Sequence, residues 1–264
     1  LSESAVKQYA QEQGLPILQP IKLKDPEFIA QLSALKPDLQ VVVAFRMLPE
    51  TVWNLPPQGT VNVHGSLLPK YRGAAPINWA ILNGEKETGV STFKLQHEID
   101  TGDILLQEKM PIGPNETAGE LHDRMKVEGA QLLVKTLQEL ANGTLKASQQ
   151  QLNSDIKHAP KLFKTDCEID WNNTSEQIHN QIRGLSPYPT AFTVLGDKTL
   201  KIFSAEIEPG KPEIPAGTFS SDHKSYLKFA ATDGYLSLKE MQLEGKKKMA
   251  IEEFLRGTHI QEAN

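Results

Sequence analysis

The chain has 264 residues, 39% of them apolar and 23% charged, with a formal charge of −5. That usage is ordinary for globular proteins and excludes low-complexity, collagen-like and membrane-bundle chains, while the length suits one large domain or two modest ones. One cysteine, Cys167, excludes an internal disulfide and any cysteine-rich zinc site, and residues 1–154 carry 14 Lys and Arg against 17 Asp and Glu, so net charge makes no case for a nucleic-acid partner.

The sequence has no run of 18 apolar residues, the length a membrane-spanning helix needs. The polar start LSESAVKQYAQEQG lacks the apolar centre of a signal peptide. With a single cysteine, this predicts a reducing, cytoplasmic location.

Residues 3–13 read as an amphipathic helix stopped by Gly14 and Pro16, and 27–36 as a second, with Pro37 after it. LQVVVAF at 39–45 is a β-branched run typical of a strand covered on both faces. VNVH at 61–64 reads as a short strand ending in glycine. Residues 76–83 suit a helix with Pro76 in its first turn. GVSTFKL at 89–95 and ILLQEKM at 104–110 read as strands. Thr117 and Glu120 have capping-box spacing. Behind them Leu121, Met125, Leu132, Leu133, Leu137 and Leu140 predict a helix over 117–142. Strands alternating with helices imply an α/β domain with a mostly parallel sheet.

After Gly143 the polar stretch KASQQQLNSD reads as a linker. One helix is expected at 174–184, then short strands at 190–195, 199–207, 226–232 and 235–243. Closely spaced turn signals make this a small barrel or sandwich.

In an open parallel sheet, ligands bind beyond the carboxyl ends of the strands. Asn62 and His64 stand at such an end and, two residues apart, project to one face. An asparagine amide can donate to an oxygen gaining charge, and a histidine can move protons near neutral pH. Alone, the pair is a weak signal, since a lone histidine near a strand end is more often structural or incidental. Asp100-Thr101-Gly102-Asp103 fits an Asx-type turn or an Asp100 that reaches His64, holds its ring and favours its charged form. In Ser66-Leu67-Leu68-Pro69 the apolar groups need cover, from the protein's own core or from a planar apolar ligand.

NVHGSLLPKYRGAAPINWAI, followed by GVSTFKLQHEIDTGDILLQ, resembles the folate-dependent formyltransferases. IDWNNTSEQIHNQIRGLSPYPTAFTVL and MQLEGKKKMAIEEFLRG are similar to the second domain of the members that act on methionyl-tRNA. The resemblance implies a Rossmann-like formyltransferase domain over 1–143, a linker over 144–162 and an OB-like, tRNA-binding β-barrel over 163–264. It implies formyl transfer from 10-formyltetrahydrofolate to the α-amine of initiator methionyl-tRNA. The histidines do not cluster with carboxylates at metal-ligand spacing, so no metal is expected, and nothing in the sequence demands an oligomer, so a monomer is expected. Asn62, His64 and Asp100 take the catalytic places. Ser66, Leu67, Leu68 and Pro69 take the folate-facing places, with Phe45, Arg46, Met47 and Leu48 as a second segment. Lys70, Arg72, Lys246, Lys247 and Lys248 are the candidate tRNA contacts, with Arg183 and Arg256 as further cations of the second domain. Trp53, Trp79 and Trp171 read as core. An amino-sugar nucleotide acceptor and a non-catalytic folate- or RNA-binding role are the competing readings. Family members begin with additional strand–helix–strand units, so roughly 45–50 residues are expected ahead of this start.

Overall fold

The computed structural model describes residues 3–43, 47–151 and 156–258. They form two compact units, Leu1–Asn62 with Lys94–His97, and Val63–Phe93 with Glu98–Asn264.

In the first unit α1 (Ala5–Glu12) is capped by Ser4, which accepts the Lys7 amide, and α2 (Pro26–Ala34) by Asp25, which accepts the Glu27 amide. β1 (Gln40–Val42) leads through the one-turn α3 (Glu50–Trp53) to β2 (Thr60–His64). The strands pair in parallel, Gln40 opposite Thr60 and Val42 opposite Asn62. On β2's other side the Leu95 amide donates to the Thr60 carbonyl. The sequence expectation of a strand covered on both faces fails at β1. Val42 is buried, but Val41 and Val43 are 37% and 59% exposed. Alternate side chains of a strand point to opposite faces, and among the described residues only one face of β1 is covered.

The second unit takes the end of β2 and then, in chain order, β3 (Arg72–Gly73), α4 (Pro76–Leu82), β4 (Glu87–Lys94), β5 (Ile104–Pro111), α5 (Ala118–Ala141) and β6 (His158–Ala159). α6 (Ser175–Leu185), β7 (Ala191–Leu195), β8 (Lys198–Pro209), β9 (Phe219–Ser221), β10 (Leu227–Ala230), β11 (Gly234–Leu243), β12 (Met249–Ala250) and α7 (Ile251–Arg256) follow.

β4 and β5 are antiparallel, Glu87 opposite Pro111 and Thr92 opposite Leu106. Their short connection allows a hairpin-type return but no crossover. α5 starts at the expected box, Thr117 and Glu120 each satisfying the other's backbone. Its buried line runs Leu121, Met125, Gly129, Leu132 and Thr136, while Leu133, Leu137 and Leu140 are only half-buried. A Cβ on Gly129 would stand 3.4 Å from Val63 and Val90, so this glycine admits the strands close to the helix. Thr136 meets Thr92 across the same interface at 2.8 Å.

The polar stretch after Gly143 is tied to the unit. Ser148 and Ile104 exchange two backbone hydrogen bonds, and β6 pairs in parallel with β3.

The remaining strands form an antiparallel sheet in the order β7-β8-β11-β10-β9, with β12 on β11. Register shifts near Glu240 curl the β8–β11 pair. Leu200, Ile202, Leu236 and Met241 of the sheet are buried with Ile178, Ile182 and Leu185 of α6. Trp171 stacks on Phe229, ring centroids 4.6 Å apart. Trp53 and Trp79 are half-buried, and the Trp79 indole donates to the Pro160 carbonyl. Among the described residues no helix is long and apolar enough to cross a membrane.

Candidate active site

β2 carries Asn62 and His64 at its carboxyl end, 3% and 7% exposed. Asn62 is the last residue of the first unit's stretch of β2, and His64 lies in the second unit. The His64 ring stands edge-on to Phe93. Its two nitrogens have different partners. Nε2 lies 2.8 Å from the Tyr71 carbonyl oxygen. A carbonyl only accepts, so Nε2 carries the hydrogen. Nδ1 faces Asp100 Oδ2 at 3.7 Å. That distance is beyond a direct hydrogen bond.

The backbone on both sides of the ring takes uncommon conformations. Tyr71 has φ 60° and Asp100 φ 55°, in the left-handed region that non-glycine residues seldom adopt. Each is held in place. The Tyr71 amide donates to the Lys157 carbonyl at 2.6 Å, and its hydroxyl donates to Glu85 at 2.8 Å. Burial, reinforced by Glu85, pushes the Tyr71 hydroxyl above its ordinary range, so it stays a donor. At Glu85 burial works against ionisation, but the donors Lys157 and Tyr71 outweigh it and hold the carboxyl below its ordinary value. Asp100 is 7% exposed, and its Oδ2 accepts the Gly73 amide at 2.8 Å.

Ser66 is fully buried. Its hydroxyl donates to the Lys70 carbonyl and its carbonyl accepts from Ser91. The Leu68 amide donates to Ser91 Oγ at 3.1 Å and the Leu68 carbonyl accepts from Gln107. Leu68 is buried inside the protein, whereas Leu67 and Pro69 are half-buried. A Cβ on Gly89 would come within 2.5 Å of Leu67 Cδ2, so Leu67 lies directly against β4. Of the second expected folate segment, Phe45 and Arg46 lie outside the described residues. Met47 is 77% exposed and Leu48 half-buried.

The structure gives most of the candidate cations a protein partner. Lys70 is exposed. Arg72 donates twice to Gln150. Lys246 donates to the Gly257 carbonyl, Lys247 pairs with Glu253 and Lys248 with Glu240. Arg183 is not a surface cation. It is 4% exposed and donates to Asn180 and to the Gly113 and Glu116 carbonyls. Arg256 is exposed.

Four groups that shape the site escape the sequence reading: the Tyr71 carbonyl, the Gly73 amide, Ser91 and Gln150. Ser91 had a visible signal, a small polar residue at a buried position of a strand. The backbone groups and Gln150 had none. Among the described residues no His, Cys, Asp and Glu cluster could hold a metal. A cavity of about 570 Å³ lies away from His64, lined by Phe163, Cys167, Tyr188, Phe192, Lys164 and Lys201 among others. Its lining holds no histidine–carboxylate pair of the kind formed by His64 and Asp100.

A histidine oriented through one nitrogen, with a carboxylate facing the other at the end of a sheet strand, can move a proton or stabilise developing charge. Residues 1–137 match the family model described as formyl transferase, and residues 161–259 that of the formyl transferase C-terminal domain. The chain belongs to the formyltransferase family. A methionyl-tRNA formyltransferase of Parabacteroides distasonis is 50% identical over 97% of this chain and 82% of its own length. One of Azobacteroides pseudotrichonymphae is 52% identical over 96% and 82%. Among solved structures, the N-formyltransferase of Helicobacter canadensis, in complex with folinic acid and dTDP-3-aminofucose, aligns with a TM-score of 0.68. It covers 94% of this chain and 85% of that one at 22% identity, a likeness of fold.

Proposed function

We propose that the chain transfers the formyl group of 10-formyltetrahydrofolate to the α-amine of initiator methionyl-tRNA. The observation that carries the chemistry is the His64 geometry, with Nε2 committed to Tyr71 and Nδ1 turned toward Asp100. Relatives about half identical over most of the chain support the choice of acceptor.

The neutral amine attacks the formyl carbon and a new C–N bond forms. The carbonyl electron pair moves onto oxygen, and the resulting oxyanion receives hydrogen bonds from the Asn62 amide and from Nδ1–H of protonated His64. One such donor is typically worth about 10²–10³-fold in rate. Asp100 accepts the amine proton, directly or through one water. The intermediate collapses by breaking the bond to the folate nitrogen, which takes up that proton as tetrahydrofolate leaves. No protein nucleophile and no metal enter these steps.

Folate lies along Ser66–Pro69, with Leu67 and Pro69 facing it and the Phe45–Leu48 segment as its second contact. The domain over 163–264 holds the tRNA, with Lys70, Arg72 and Lys246–Lys248 positioning phosphates, contacts that orient rather than specify. The enzyme works in the cytoplasm as a monomer.

The test incubates the protein with 10-formyltetrahydrofolate and charged initiator tRNA and measures N-formylmethionine. The expected result is product with the wild type and almost none with His64→Ala at unchanged folding. Formylation of a nucleotide-linked amino sugar in place of the tRNA would overturn the acceptor assignment. A fully active His64→Ala would overturn the mechanism.

A further inference from the structure

Gln150 belongs to the stretch between the two matched segments, 138–160, and to none of the catalytic groups above. Its side-chain amide makes four hydrogen bonds. Oε1 accepts from Arg72 Nε at 3.0 Å and Nη2 at 2.6 Å. Nε2 donates to the Asp100 carbonyl at 2.8 Å and to the Gly102 carbonyl at 2.8 Å. The partners fix the orientation of the amide, because a flipped one would aim oxygen at two carbonyls and NH₂ at a guanidinium.

We infer that Gln150 is a positioning residue for the reaction, clamping the Asp100 turn so that its carboxylate meets His64. This rests on the roles proposed for those two residues. The backbone supplies the reason a clamp is needed. Asp100 sits at φ 55°, a conformation that persists only when its surroundings hold it. Within the turn, Thr101 donates to the Glu98 carbonyl. The two Gln150 donors come from outside the turn. The same side chain fixes Arg72, whose neighbour Gly73 sends its amide to Asp100 Oδ2. Gln150 thus grips both pieces of chain that meet at the carboxylate. Its backbone is fixed two residues earlier, where Ser148 bonds Ile104 in both directions. No other side chain of similar size reproduces the clamp. Leucine has no polar atoms. Glutamate keeps the acceptor for Arg72 but sets a charged oxygen against two carbonyls.

Gln150→Leu and Gln150→Glu test the assignment with two readouts. The first needs no substrate. The Gly73 amide proton resonance reports its bond to the Asp100 carboxylate. In both variants it moves toward its position in Asp100→Asn. The second is kinetic. kcat for formylation falls about 10²-fold, the scale of a 1 Å misplacement, while tetrahydrofolate affinity is unchanged. An unmoved Gly73 resonance, or wild-type kcat in a folded variant, overturns the assignment. So does equal loss of folate affinity. If Gln150→Leu does not fold, Gln150→Glu, which retains the Arg72 contact, carries the test. If the wild type does not formylate methionyl-tRNA, the functional reading fails, and the Gly73 resonance alone decides whether Gln150 holds the turn.

Discussion

Replacing Asp100 by Asn removes one charge with almost no change of shape. The carboxylate oxygen stands 3.7 Å from His64 Nδ1, both side chains nearly buried. A unit charge pair at that distance interacts by about 4 kcal/mol at an effective dielectric constant of about 20. That energy acts only while His64 is protonated, as when it donates to the oxyanion. Its loss therefore falls on the transition state and corresponds to roughly three orders of magnitude in kcat. The Gly73 amide, 2.8 Å from the same oxygen, keeps a neutral acceptor in Asn. The weaker bond costs about 1 kcal/mol of stability, and Tm falls by about 2–4 °C. Steady-state formylation of methionyl-tRNA gives kcat, a tetrahydrofolate titration gives binding, and thermal unfolding gives the stability term. A kcat loss below about tenfold, less than 1.4 kcal/mol, would refute the charge argument. Lost folate affinity would instead mean that Asp100 shapes the donor site.

Gly89→Ala sets a Cβ 2.5 Å from Leu67 Cδ2 and against the Glu108 backbone carbonyl. Overpacking of this kind costs about 1–3 kcal/mol. Thermal unfolding should show the loss and a folate titration should show weaker binding, and an unchanged Tm would contradict the packing. His179 is 8% exposed, and burial, helped by Arg183, lowers its pKa. A lowered histidine pKa contributes stability that is present above the unfolded value of about 6.5 and is lost as pH falls through the folded value. His179→Gln should flatten the fall of Tm below about pH 6.5, and an unaltered Tm–pH curve would remove His179 from that dependence. Neutralising Lys246, Lys247 and Lys248 together breaks two exposed ion pairs of about 0–1 kcal/mol each, so folding should survive. KM for tRNA should rise and its salt dependence should flatten, whereas an unchanged salt slope would make the run a solvated face.

The sequence showed its elements where local chemistry defined them. The Thr117–Glu120 cap sits at the start of a real helix, because a cap acts within one turn of its own residues. His64 and Asp100 were legible as strand-end and turn residues, and they do face each other. What fixes their geometry was not legible. The Tyr71 carbonyl and the Gly73 amide are backbone groups, present at almost every position and silent in sequence. Gln150 stands in a polar run that reads as a linker, and only the fold brings it to the Asp100 turn. β3, β6, β9 and β12 have two or three residues each, too few to show a period. Arg183 lies near the end of a helix, where an exposed cation is ordinary, yet it is buried, bonded to Asn180 on its own helix and to the carbonyls of Gly113 and Glu116, 70 and 67 residues earlier.

The pairing of Arg72 and Gly73 with His158 and Ala159 also sets a timetable. The Tyr71 amide bonds to Lys157, so the carbonyl that receives the His64 hydrogen is placed by chain synthesised much later. β2, β4 and β5 can assemble as the polypeptide emerges, since domains form from the amino end onward during translation. The orientation of His64 cannot be completed until residue 159 has left the ribosome. Distant closures of this kind form late because their entropic cost precedes their contacts. Nascent chains halted after residue 143 should therefore hold a folded sheet without a fixed Tyr71, a difference that hydrogen exchange at the Tyr71 amide would detect. The polypeptide acquires its architecture first and its chemical competence only when the segment joining its two halves has been made.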